Sequence, residues 1–416
     1  MRQDTVYRRT GTLSSIRSNR AVAGTALGAA ALFMAIVAVL LNSTALFFMG
    51  TALIATIGAA RLQALLSVRG LRFERVAPPS IRLGDEVTIE ITVWSEKAIR
   101  RPLISVYDAL PPKLVITDRS PSLPIAPAFD IPIRSQYSFR PLRRGRFKWS
   151  GIVAEGSDAL GLVTMQREYP TAVTTLTVLP RPIPVNLELP ASLGYGINEA
   201  SSGKARGAGL EPRGVREYSR SDSLRHVHWR SSARARQLLV KEFETGSSTA
   251  AAFMIQSTLG TEIGADGSTT LELMIGHATY LADIFLSQGA HVVFPGLESK
   301  PRFASHAERM EEIYELLTDV QANRKETLGQ DAAESTGDLP HGSTVYCLLS
   351  VADRDLISAA VALRGQGVNV VALLYDASKF AKKNSRPFES ATSPEFVTEI
   401  TRSGVLPIVV PLEVNS

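Results

Sequence analysis

The chain has 416 residues, 45% of them hydrophobic, and carries 45 Lys and Arg against 40 Asp and Glu for a net charge of +5. That length holds two or three domains, each with its own core, and so small a net charge excludes a protein that binds polyanions with its whole surface. One cysteine, Cys347 in an apolar run, excludes an intrachain disulfide framework and suits a reducing compartment.

Residues 1–20 form a basic N-terminus with Arg2, Arg8, Arg9, Arg17 and Arg20. Two uncharged apolar stretches follow, 21–41 and 44–60, with Asn42 and Ser43 as the only polar break. At about 1.5 Å rise per residue, each approaches the hydrocarbon thickness of a bilayer. A transmembrane helical hairpin over 21–60 is therefore expected. A cleaved signal peptide would have a shorter apolar region and no second span directly behind it. Arg61, Arg69, Arg72 and Arg75 follow the second stretch, while the turn between the stretches has no charge. The positive-inside rule then places both termini and everything after residue 61 in the cytoplasm of a multi-pass membrane protein.

From 71 to 184 the pattern changes to short strands. Val87, Ile89, Ile91 and Val93 alternate with Thr88, Glu90 and Thr92, which is a half-buried strand by period. Further strand-like pieces are 131–139, 146–153, 162–169 and 172–179, punctuated by Pro and Gly. The spacing fits an antiparallel β-sandwich, with a barrel as the alternative. Residues 186–209 read as a linker rich in Gly, Ser and Ala. Residues 210–244 form a polar arginine-rich block, and 245–416 alternate apolar strands with amphipathic helices, the signature of a doubly wound α/β domain. Within that domain, 323–342 is polar and expected to be a flexible insertion.

The block is the least ordinary part of the chain. Between Ser201 and Glu244 it holds ten Lys and Arg against five acids, with Tyr218 and Trp229 interleaved. A single-strand nucleic-acid binder would look similar. The acids are mixed in, however: Glu217 adjoins Arg216 and Asp222 lies near Arg225. Arginine forks pair with carboxylates and stack on rings, so the expected role is a structural or interfacial joint. His226 and His228 lack a carboxylate or cysteine partner at metal-ligand spacing, and the serines lack a nucleophile elbow. No catalytic set, bound cofactor or metal site emerges, and a non-enzymatic protein is expected.

The order of parts, and above all the block, resembles the family called domain of unknown function 58. The matching positions are Arg216, Tyr218, Asp222, Arg225, His228, Trp229, Ser232, Ala233 and Arg234. Arg143-Arg144-Gly145-Arg146 and Asp158-Ala159-Leu160-Gly161-Leu162 resemble the family's lead-in to it. Ser221 stands where the family has glycine. The resemblance implies a von Willebrand factor A-like C-terminal domain, membrane anchoring, and a partner of the MoxR-type AAA+ ATPase class. In that fold an aspartate-x-serine-x-serine loop after the first strand helps to hold a divalent cation. Here the loop reads Gln256-Ser257-Thr258-Leu259-Gly260, so the charge is gone, and Asp353 alone is a weak second ligand. Loss of the cation site is expected. A cation-dependent ligand-binding domain and a membrane-associated nucleic-acid binder are the alternatives.

Overall fold

The computed structural model describes residues 11–99, 101, 103–114, 116, 122–187, 212–217, 232, 234, 239–243, 250–265, 267–297, 305–339, 342–382 and 387–411, with no side-chain description before Gly24 or for most of 212–243. The chain divides into two compact units, Met1–Leu179 and Pro180–Ser416.

The first unit begins with helices α1 (Gly11–Leu40) and α2 (Thr44–Ser67). The expected break at Asn42 and Ser43 is the turn between them. Asn42 adopts φ +47° there, a left-handed conformation that asparagine tolerates better than most residues. The helices pack on each other through small residues: Gly50 approaches the Ala31 and Ala35 backbone, and Ala38, Ala60 and Ala64 are buried. Large apolar side chains point the other way, with Leu32, Phe33, Ile36, Phe47, Phe48, Met49 and Ile54 exposed. Helix α2 is long and apolar enough to cross a membrane, and it continues past Ala60 through Arg61 to Ser67. The described apolar stretch of α1, Gly24–Leu40, is shorter than a full span.

Strands β1 (Leu71–Val76), β2 (Ser80–Arg82), β3 (Val87–Ser95), β4 (Ile104–Asp108), β5 (Ser122–Ile125), β6 (Ile133–Phe139), β7 (Gly145–Ser157) and β8 (Thr164–Leu179) follow. They form one sheet in the order β1-β3-β6 and another in the order β2-β8-β7-β4-β5, with all pairs antiparallel except β2 with β8. Val87, Ile89, Ile91 and Val93 of the first sheet share a core with Val106, Ile152, Ala154, Leu176 and Val178 of the second. Burying each large side chain there is worth roughly 1.5–3 kcal/mol. The two strands expected over 162–169 and 172–179 are a single strand, β8. Pro170 lies opposite Gly151, beside the irregularity between Trp149 and Gly151 where the register shifts, the kind of place where a sheet tolerates proline.

In the second unit, residues 180–187 start as a packed segment. The Ile183 N–H donates to the Gly276 carbonyl at 3.0 Å, and Val185 and Leu187 are buried in the core. Of the expected linker over 186–209, Leu187 thus belongs to a core while Asn186 is exposed; 188–209 lie outside the described residues. Strands β9 (Pro212–Glu217) and β10 (Leu239–Phe243) form an antiparallel pair. The main sheet uses β11 (Ala250–Ile255), β14 (His291–Val293), β15 (Thr344–Leu349), β16 (Asn369–Leu374) and β17 (Leu406–Val409), after a small ribbon of β12 (Gly264–Ala265) and β13 (Ser268–Thr269). Its order is β14-β11-β15-β16-β17, with every pairing parallel. The side-chain period of two splits each inner strand between two cores. Phe253, Tyr346 and Val371 join one, with α3 (Thr270–Ser287) and α4 (His306–Thr318). Met254, Cys347 and Ala372 join the other, with α5 (Leu328–Glu334), α6 (Asp355–Gly365) and α7 (Pro394–Arg402). Helices thus cover both faces, as the alternating pattern predicts.

The expected flexible insertion over 323–342 is instead structured through most of its length. Thr327 and Gln330 form a capping box that starts α5, and Leu328, Gly329, Asp331 and Ala332 are buried. A 3₁₀ turn, Ser335–Asp338, completes it. The polar residues that suggested mobility are the cap and the ion-pair partners that hold it down.

Candidate functional site

In a doubly wound sheet, ligands bind beyond the carboxyl ends of the strands, where the chain order reverses. Here that switch point lies between β11 and β15, at the loops 256–261 and 350–354. Gln256, almost fully buried, closes the gap. Its Oε1 accepts from the backbone N–H of Ser350 and of Val351, both at 3.0 Å, and its Nε2 donates to the Val351 carbonyl at 2.9 Å. A carboxylate at this position would lack the donor for that last bond. Ser350, also buried, donates its hydroxyl to the Thr261 carbonyl at 3.1 Å, tying the two loops a second time.

The segment after α4 covers the same edge. Arg324 exchanges backbone bonds with this loop, donating to Ser257 O at 3.1 Å and accepting from Leu259 N at 2.8 Å. Its guanidinium donates to Asp331 at 2.8 Å. Gly329 lies against the backbone of Asp355 and Leu356, where an added Cβ would come within 2.2 Å of main-chain atoms, so glycine is the residue that allows the approach. Asp353 is buried and holds the junction: Oδ2 accepts from Gly329 N at 3.0 Å and Oδ1 from Asp355 N at 3.1 Å. Burial raises its carboxyl above the ordinary range, against the opposing effect of these backbone donors. The Asp355 carboxylate in turn accepts from the Thr327 hydroxyl at 2.8 Å and the Gln330 amide at 3.1 Å. Asp353 acts as a loop cap with both oxygens engaged. Among the described residues no three His, Cys, Asp or Glu side chains come together as a metal-binding group.

Of the expected signature residues, the structure places three. Arg216 is on β9, paired in register with Val240 of β10. Ser232 is buried and bridges to Leu239, its hydroxyl accepting from Leu239 N at 2.8 Å and donating to Leu239 O at 3.3 Å. Arg234 is exposed. Ser232 therefore pins the end of the block to the start of β10. Tyr218, Asp222, Arg225, His228, Trp229 and Ala233 lie outside the described residues.

A second polar constellation, within the sandwich, escaped the sequence reading. Arg75 on β1 and Asp108 on β4 form an ion pair at 2.6 Å with both side chains about 1% exposed. Asp108 also accepts from the Tyr137 hydroxyl at 2.6 Å and the Trp149 indole at 3.1 Å, while Arg75 donates to Thr174 and Gly151 and lies over the Trp149 ring. Burial and the neighbouring carboxylate push the Tyr137 hydroxyl well above its usual range. The network joins the two sheets and is closed to solvent, which suits a structural clamp. Arg75 looked like one more basic residue after a span; the signal in the sequence was its place two residues after Phe73 and four after Leu71, on the apolar side of an alternating run.

Residues 214–342 match the family model described as protein of unknown function DUF58, a stretch that contains all nine signature positions and the first half of the α/β unit. A comparison with curated proteins finds no match. Similar solved structures include the human seminal plasma complex of zinc 2-glycoprotein and prolactin inducible protein, at 15% identity and TM-score 0.20 over 26% of this chain and 92% of that one. A CARDB domain from Pyrococcus furiosus, in complex with di-metal ions, is 15% identical at TM-score 0.18 over 26% and 91%. A β-glucosidase from Listeria innocua in complex with isofagomine is 14% identical at TM-score 0.15 over 24% and 16%. Likenesses this slight carry no conclusion about activity or fold.

Proposed function

We propose that this chain is a membrane-anchored, non-enzymatic interaction protein. In this reading α1 and α2 are a two-span anchor, both termini and both folded parts lie in the cytoplasm, and the von Willebrand factor A-like α/β unit presents a surface to another protein. The observation that carries it is the closed switch point: Gln256, Ser350 and the 323–331 segment occupy with protein groups the place where such a sheet would otherwise receive a ligand. The apolar length of α2 and the arginines flanking the apolar stretches support the anchor and its orientation. The family match over 214–342 supports the signature block as the defining part. A MoxR-type AAA+ ATPase is the partner class that the family resemblance implies, an associational warrant.

The test is retention. Tagged full-length protein, extracted from membranes in mild detergent, is expected to hold a MoxR-type ATPase encoded in the same genome. Absence of that ATPase with and without nucleotide, together with clear heat on titration with Mg²⁺, would replace this reading with a cation-dependent ligand-binding domain.

A further inference from the structure

The turn between β7 and β8 has a composition that its surroundings do not explain. Residues 159–163 read Ala-Leu-Gly-Leu-Val, with no polar side chain at a hairpin tip. Leu160 is 69% exposed and Ala159 is exposed beside it. The turn is nevertheless built rigidly. Asp158 is buried beneath it; its Oδ2 accepts from Leu160 N at 2.9 Å and its Oδ1 from Val163 N at 2.7 Å. Gly161 takes φ +68° and donates to the Asp158 carbonyl. Such a frame holds an apolar tip out from the sandwich instead of letting it fold back on the core.

Its position is fixed against both helices. Ala159 N donates to the Gln63 side chain of α2 at 3.2 Å, and the Leu162 carbonyl lies 3.2 Å from where a Cβ on Gly24 of α1 would be. Gln63 is three residues, about 4.5 Å of helix, beyond the last uncharged residue of the apolar stretch. The polar layer on each side of a bilayer's hydrocarbon core is roughly 5–7 Å deep. A tip bonded to Gln63 and touching Gly24 therefore sits at headgroup depth. Exposed Arg61 on α2 and Arg69, two residues past its end, flank that level, as expected of side chains that reach phosphates.

We propose that the 158–163 turn is a third membrane contact, with Leu160 seated at the headgroup–acyl boundary of the leaflet from which α1 and α2 arise. This rests on the reading of α2 as a membrane span. The contact would fix the tilt of the sandwich on the bilayer surface and keep α1 and α2 from turning independently of it.

Site-directed spin labelling of the full chain in liposomes tests this. Cys347 is fully buried, and burial pushes its thiol up to about 12, so it does not compete for the label. Labels are placed singly at Leu160→Cys, at Ile54→Cys in α2 and at Val173→Cys on β8, all exposed positions. The expected result is that the Leu160 label, like the Ile54 label, is more accessible to oxygen than to a water-soluble nickel complex, and the Val173 label the reverse. A Leu160 label that behaves like Val173 while Ile54 reports lipid overturns the contact and leaves the span intact. A Leu160 label shielded from both reagents means that protein covers the tip and also overturns it. If Ile54 itself reports water, the span and the contact fall together.

Discussion

Gln256 ties two loops together through a single side chain. Two backbone N–H groups and one carbonyl of β15's exit depend on it. Gln256→Ala is expected to destabilise the α/β unit by about 1–3 kcal/mol, the penalty for leaving buried backbone groups without partners, read as a shift in the denaturant midpoint. His277 makes a separate prediction. It is buried against the Tyr375 hydroxyl at 3.0 Å, and desolvation lowers its pKa to about 4. The unfolded chain protonates this ring near pH 6.5 while the folded chain does not. Stability therefore falls as pH drops from about 6.5 to about 4, by up to roughly 3 kcal/mol from this group, and no further below that. Thermal unfolding of the detergent-solubilised protein across this range should show the slope, and His277→Gln should flatten it. The family resemblance drew attention to Gln256, because the residue type at one loop position is visible in one dimension. It did not expose the bonds that fill the site, since their partners lie more than 90 residues away.

Among elements, strand period and helix spacing served well wherever a face was buried. The strand Thr344–Leu349 is buried at every position, and the helix Pro394–Arg402 buries Phe396 and Ile400, four residues apart on one face. Failures came where polarity has a structural task. The 323–342 segment read as solvent-loving, yet Arg324, Thr327, Gln330 and Asp331 find their partners within the fold. Gly329→Ala is expected to push α5 off α6 and lower the melting temperature, with a cost of about 1–3 kcal/mol typical of overpacking; hydrogen exchange should localise the loss to 323–339. In the sandwich, Asp108→Ala would strand the Arg75 guanidinium in the core. A loss of about 3–5 kcal/mol is expected, and Asp108→Asn should recover part of it by keeping an acceptor for Tyr137 and Trp149. Denaturant unfolding of the three proteins side by side measures both steps.

For the molecule as a whole, the decisive property is orientation. Protease added outside intact cells is expected to leave residues beyond α2 uncut, and protease added to inverted membrane vesicles is expected to remove them; the opposite pattern would place the folded parts beyond the ATPase proposed as partner. By itself the sequence determined the apolar stretches and the arginines around them, the alternation of strands and then of strands with helices, and the arginine-rich block at 210–244. All of these are local or periodic properties that survive in one dimension. Only the tertiary structure decided that a buried arginine clamps two sheets, that one amide seals the switch point, and that the 158–163 turn lies beside both helices. Each depends on pairs of groups far apart in the chain, whose hydrogen bonds and burial exist only once the chain has folded.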